Sequence, residues 1–169
     1  GLADAFEERL QQRQAVEAIG SAITEPHQET FLLQGITGSG KTEVYLRVVA
    51  QAMEAGKQVL LLVPEIALTA QIVKRFQAWF GDEVAVAHSK LSQNERADVW
   101  YKMRTNSAKL LIGVRSAVFA PFSDLGLIII DEEHESSYKQ DERPNYHART
   151  VALKRAQLSG IPVVLGSAT

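Results

Sequence analysis

The sequence predicts an α/β fold, a mostly parallel β-sheet with helices on both faces. Three observations predict it. Short apolar runs of strand length alternate with stretches at helical spacing, the pattern of βαβ units. Several runs are apolar at nearly every position, as in strands covered on both sides. Each chemically pointed segment falls just after one of these runs, where open α/β sheets bind their ligands.

The elements follow in order. Residues 6–23 place Leu10, Ala15, Val16, Ile19 and Ile23 at roughly helical spacing, and Pro26 closes the stretch. Residues 31–34 are strand-like, and the run from Glu43 to Val49 reads as a helix stopped by Gly56. Residues 58–63 form a continuous apolar strand ended by Pro64. Residues 66–80 read as a second helix of the repeating unit, closed by Gly81-Asp82, and 83–87 as a third strand. Ser92 with Glu95 three residues on is a capping box opening a helix over 92–103. Strands over 109–114 and 126–130, a helix over 146–159 and a last strand over 161–165 complete the pattern.

Composition bounds the function. The 169 residues suffice for one domain with a proper core, 46% hydrophobic and 22% charged. A net charge of −2 gives no support to a globally basic nucleic-acid binder but permits a local basic groove. No cysteine is present, so disulfides and thiolate metal sites are excluded. No apolar run is long enough to span a membrane. Gly1 is not a natural initiator, and residues 166–169 follow directly on a buried-strand pattern, so 1–169 reads as one domain of a longer protein.

The stretch Gly35-Ile36-Thr37-Gly38-Ser39-Gly40-Lys41-Thr42 fits G-x-x-x-x-G-K-S/T between a strand and a helix. Its glycines let successive backbone N–H groups point at phosphate oxygens, and the helix N-terminus adds the positive end of its dipole. Lys41 is placed to reach the β- and γ-phosphates, and Thr42 to give its hydroxyl to Mg²⁺. A second centre is the apolar strand Ile128-Ile129-Ile130 running into Asp131-Glu132-Glu133-His134. With a phosphate loop, one acid to hold Mg²⁺ (Asp131) and one to position water (Glu132) meet what phosphoryl transfer asks of a protein.

Asp131-Glu132-Glu133-His134 is similar to the D-E-x-H/D box of superfamily 2 helicases, with His134 its fourth member at the nucleotide. The longer match resembles the first RecA-like motor domain of the PriA family, the bacterial primosomal replication-restart helicases. It rests on 35–45, Val-Pro-Glu-Ile-Ala-Leu-Thr at 63–69, His88-Ser89 and Arg-Ser-Ala-Val-Phe-Ala-Pro-Phe at 115–122. It continues through 131–140, Tyr-His-Ala-Arg at 146–149 and Gly-Ser-Ala-Thr at 166–169. The resemblance implies a RecA-like P-loop domain of a DNA-dependent ATPase that unwinds duplex 3′ to 5′ at stalled forks, using ATP and Mg²⁺. It implies single-stranded and forked DNA, a second RecA-like lobe and primosome proteins as partners, a cytoplasmic bacterial setting, and no zinc in this segment.

The resemblance also assigns residues. Gln12 would read the adenine edge, with Gln11 and Gln14 as neighbours of the same chemistry. Thr69, in a segment reading Thr-Ala-Gln where many relatives have Thr-Pro-Gln, and Arg115 and Ser116 would hold the DNA backbone. Residues 136–149 resemble an aromatic-rich loop that brings Tyr138, Lys139, Tyr146 and Arg149 to DNA, without the bulky residue often found near Pro144-Asn145. Ser167 and Thr169 would couple the γ-phosphate to the DNA site. Rival readings are another P-loop enzyme such as a nucleotide kinase, a RecG-like or restriction-type translocase, and a binding module that cannot turn over alone. The last gains weight because an arginine finger from a second lobe is worth ~10³–10⁵ in rate in such motors.

Overall fold

A computed structural model describes residues 1–132 and 142–167 of the chain. In order, the elements are α1 (Leu2–Thr24), β1 (Thr30–Leu33), α2 (Gly38–Glu54), β2 (Gln58–Leu62), α3 (Ala70–Phe80) and β3 (Val84–Ala87). They continue as α4 (Gln93–Arg104), β4 (Leu110–Gly113), β5 (Leu125–Glu132), α5 (Glu142–Ser159) and β6 (Val163–Ser167). The six strands form one sheet in the order β1-β6-β5-β2-β4-β3, and every pairing is parallel.

Alternation along each strand divides the core into two layers. Val59, Leu61, Leu110, Ile112, Leu127, Ile129 and Val164 face α1, α2 and α3, joined by Ile19, Val48 and Phe76. Leu60, Leu62, Leu111, Ile128, Ile130, Val163 and Leu165 face α4 and α5 on the other side. On α5 the small residues Ala148, Ala152 and Ala156 recur every four positions, so one smooth stripe lies close against the sheet. Both faces are covered, as the apolar runs predict.

Several boundaries differ from those read in the sequence, each for a local reason. The helix after the phosphate loop begins at Gly38, because Thr37 caps it: its Oγ1 accepts from the Gly40 N–H at 3.2 Å. The helix expected over 66–80 is split into a 3₁₀ turn at Glu65–Ala67 and α3, which starts where Thr69 Oγ1 accepts from Ile72 N–H at 3.2 Å. β5 extends through Asp131 and Glu132 and β6 through Ser167, so these residues end strands rather than follow them. α5 begins at Glu142, with Pro144 in the first turn where its missing N–H costs no helical bond. Tyr146 and Arg149 thus lie in the helix expected over 146–159, which opens four residues earlier than read. Among the described residues no helix is long and apolar enough to cross a membrane.

Candidate nucleotide and nucleic-acid site

Parallel pairing puts the C-terminal ends of all six strands along one edge, and the candidate residues divide between its two halves. β1, β6 and β5 carry the phosphate loop, Ser167 and the two acids. β2, β4 and β3 lead into Thr69, Arg115 and His88.

In the first half, the chain leaves β1 and turns at Gly35, whose φ of 73° is the left-handed region that favours glycine. The backbone N–H groups of 38–41 then open α2, the arrangement that receives anions. Lys41 is 2% exposed, and its ammonium donates to the Ser167 carbonyl. Thr42 Oγ1 gives its proton to the Gly38 carbonyl at 3.1 Å, which turns lone pairs of the oxygen outward. Register places Asp131 beside Gly166 and Glu132 beside Ser167, the residue that Lys41 touches. The loop and the acids thus meet over the end of β6. Asp131 Oδ1 accepts from the Tyr45 hydroxyl at 2.9 Å. Glu132 Oε1 lies 3.1 Å from Arg149 Nη1.

Helix α1 crosses the loop closely. A Cβ on Gly40 would lie 2.6 Å from Gln12 Nε2 and 2.8 Å from Glu8 Oε1, so any side chain there would have to displace the ends of both. Of the three neighbouring glutamines, Gln12 is the half-buried one facing the loop, while Gln11 and Gln14 are exposed. Glu8 accepts from the Thr37 N–H at 3.0 Å and from the Thr37 hydroxyl at 2.8 Å. These two hydrogen bonds, the backbone one first, hold its carboxyl below the usual range.

In the second half, Ser116 Oγ accepts from Arg96 Nη1 at 3.1 Å, and the Arg96 guanidinium lies 5.2 Å from the Trp100 ring centroid. Arg115 and Ser116 open a 3₁₀ turn directly after β4. A cleft of about 400 Å³ runs between α3 and β3, and its walls include Leu68, Thr69, Val73, Lys74, Val86 and His88. The Thr69 oxygen caps α3 by accepting from the Ile72 N–H, a bond that does not use its O–H. Arg149, expected at DNA, lies against Glu132 at the end of β5.

His134, Tyr138, Lys139 and Thr169 lie outside the described residues, as does the Tyr146 side chain. Ser39 is exposed beside Thr37, with the two hydroxyls 3.3 Å apart. Sequence reasoning gave no role to Glu8, Tyr45 or Arg96. Tyr45 carried a usable signal, since it is four residues after Lys41 and shares its helix face. Glu8 and Arg96 belong to no motif spacing.

The site's donor set suits a hard cation. Thr42 and Asp131 offer only oxygen, and among the described residues no group of three or more His, Cys, Asp or Glu converges. Few protein oxygens, with phosphate and water completing the shell, is how Mg²⁺ is usually held.

The DEAD/DEAH box helicase family model matches residues 9–169. Over 94% of its length the chain is 54% identical to replication restart protein PriA of Bacillus subtilis (strain 168) and 51% identical to that of Chlamydia pneumoniae. It spans about a fifth of those relatives, 20% and 21% respectively. Among solved structures, RecG bound to a three-way DNA junction superposes with a TM-score of 0.62 at 21% identity, over 94% of this chain and 20% of that one. The helicase MrfA bound to DNA and AMPPNP gives 0.62 at 18% identity, over 94% and 23%. These two likenesses speak for the RecA-like fold alone. The matching family model and the convergence of phosphate loop and acids over β6 agree: the chain belongs to the DEAD/DEAH box helicase family, with its sequence similarity running to PriA.

Proposed function

We propose that this chain is the ATP-binding first lobe of a DNA-dependent ATPase and 3′-to-5′ helicase acting in replication restart. The observation that carries the reading is the meeting of Lys41, Asp131 and Glu132 over the end of β6, fed by a phosphate loop at the start of α2. In this reading the N–H groups at the start of α2 bind the phosphates. Lys41 leaves the Ser167 carbonyl to reach the β- and γ-phosphate oxygens, and Gln12 orients the base. Thr42 and Asp131 would hold Mg²⁺, whose charge would offset that of the phosphates. Glu132 aligns the attacking water and accepts its proton. Release of Lys41 from Ser167 gives β6 a direct response to nucleotide, which supports a coupling role for Ser167 and, beyond it, Thr169.

The DNA side of the reading is the β2-β4-β3 half of the edge. Arg115 and Ser116 supply a cation and a hydroxyl suited to phosphate oxygens and indifferent to sequence. Arg96 fixes the Ser116 hydroxyl. Thr69 keeps its O–H to donate while its oxygen caps α3. Tyr138, Lys139, Tyr146 and Arg149 would add stacking and charge, and the Arg149–Glu132 contact would let DNA engagement act on the water-aligning acid. The partners in this reading are single-stranded and forked DNA, a second RecA-like lobe and primosome proteins, in a bacterial cytoplasm.

The test is Mg·ATP hydrolysis by this chain and by a longer chain carrying the second lobe, each with and without single-stranded DNA. The expected result is DNA-stimulated turnover in the longer chain only, abolished by Lys41→Ala. Full turnover by the chain alone, indifferent to DNA, would instead make it a stand-alone P-loop enzyme.

A further inference from the structure

We propose that Tyr45 is a positioning residue for the metal-holding acid, a role that rests on the nucleotide reading above and deepens it. Tyr45 lies one turn beyond Lys41 on the same face of α2, with its ring in the apolar core at 4% exposure. Its hydroxyl crosses under β6 and donates to Asp131 Oδ1 at 2.9 Å. A phenol buried in an apolar layer needs a partner, and this one donates to a carboxylate.

The passage exists because residue 166 is glycine. A Cβ there would overlap the Tyr45 hydroxyl and lie 3.1 Å from Asp131 Oδ1. Gly166 has no left-handed backbone requirement, being an ordinary residue of β6. Its lack of a side chain is explained by the hydrogen bond that passes it. Three elements therefore meet at one contact: the phosphate-loop helix α2, the strand β6 and the acid strand β5.

The chemical consequence is directional. An acid at a strand end can rotate about its side-chain bonds, and a fixed donor on one oxygen selects one orientation. Because Tyr45 and Lys41 share a rigid helix face, the loop that receives phosphates also aims the acid that receives the cation. Partners of this kind typically change metal affinity by 10–100-fold when removed. Tyr45 is buried at 4% exposure and reaches the site through Asp131, so its effect appears on the metal and not on the nucleotide itself.

The experiment measures Mn²⁺ binding to the ADP-loaded chain by electron paramagnetic resonance, beside ADP affinity in EDTA. It compares the native chain, Tyr45→Phe, Asp131→Asn and the double variant, with thermal unfolding as the folding control. Tyr45→Phe is expected to weaken Mn²⁺ about tenfold while ADP affinity in EDTA stays within about twofold. The double variant should be no worse than Asp131→Asn alone, since both act through one carboxylate. Gly166→Ala, which drives a methyl into the hydroxyl, should reproduce the loss and decides the matter if Tyr45→Phe does not fold. Native Mn²⁺ affinity in folded Tyr45→Phe, with a loss in Asp131→Asn, overturns the positioning role and leaves the nucleotide reading standing. Unchanged Mn²⁺ affinity in Asp131→Asn as well overturns both.

Discussion

Thr37 has donors that two acceptors would want. Its N–H and hydroxyl are held by Glu8, and a phosphate entering the loop needs the same donors. A carboxylate on a phosphate loop is a weak imitation of the ligand, tethered by α1. Glu8→Ala should therefore tighten Mg·ADP binding, by about threefold to tenfold, the scale of one competing hydrogen bond removed. Calorimetric titration at neutral pH measures it, and equal or weaker affinity would show that Glu8 supports the loop instead of competing for it. The pH dependence follows from the sign of the shift. The Glu8 carboxyl is held below its ordinary range, so its contact with Thr37 is fully present above that range and lost as pH falls through the lowered value. The affinity difference between variant and native chain should accordingly be flat across about pH 6–8, well above carboxylate titration. Legibility at this scale was uneven. The roles offered for Lys41 and Thr42 come from spacing, and Tyr45 could have been read from its position four residues on. Glu8 could not, because nothing in the sequence joins position 8 to position 37.

At the scale of elements, the polar residue holding the sheet to its connections is Gln58, fully buried at the start of β2. Its amide N–H groups donate to the carbonyls of Met103 at 2.8 Å and Ala108 at 2.9 Å, on either side of the α4–β4 turn. Its oxygen accepts from Ser123 N–H at 3.1 Å and Asp124 N–H at 2.9 Å, just before β5. One side chain thus fixes where two neighbours of β2 begin. Gln58→Leu keeps much of the volume but strands these groups, at about 1–3 kcal/mol for each that water cannot reach. A loss of about 3–5 kcal/mol is expected in urea unfolding, with a fall in Tm of about 6–15 °C for a domain of this size. A change of less than about 1 kcal/mol would mean that water replaces the amide at little cost. Strand and helix identities were legible because apolar runs and 3.6-residue periodicity survive in a single sequence. Boundaries set by a side chain on the backbone were not: Thr37 starts α2 early and Thr69 splits the expected helix. The Ser92–Glu95 box was legible, since its reciprocal bonds at 3.1 and 2.9 Å link residues three apart.

At the scale of the whole molecule, the placement of motifs after strands already implied a single functional edge. It could not give the lateral order, because a strand's apolar pattern carries no address for its neighbour. The order β1-β6-β5-β2-β4-β3 separates the nucleotide half from the half carrying Arg115 and the α3–β3 cleft. With a net charge of −2 the chain cannot attract DNA as a whole, so any affinity must come from a few local cations. Single-strand binding loses about 0.7 in the slope of log K against log salt for each phosphate neutralised. With one to three contacts from Arg115, Lys74 and their neighbours, the slope should lie at about −0.7 to −2, far shallower than for an extended basic surface. Arg115→Ala should make it shallower by about 0.7 and weaken binding equally on all sequences, because a phosphate contact carries no base information. Fluorescence anisotropy with labelled oligonucleotides of unrelated sequence, across a salt series, reads both quantities. A slope that Arg115→Ala leaves untouched would move the nucleic-acid face away from the end of β4. A loss confined to one sequence would replace backbone tracking with base readout there.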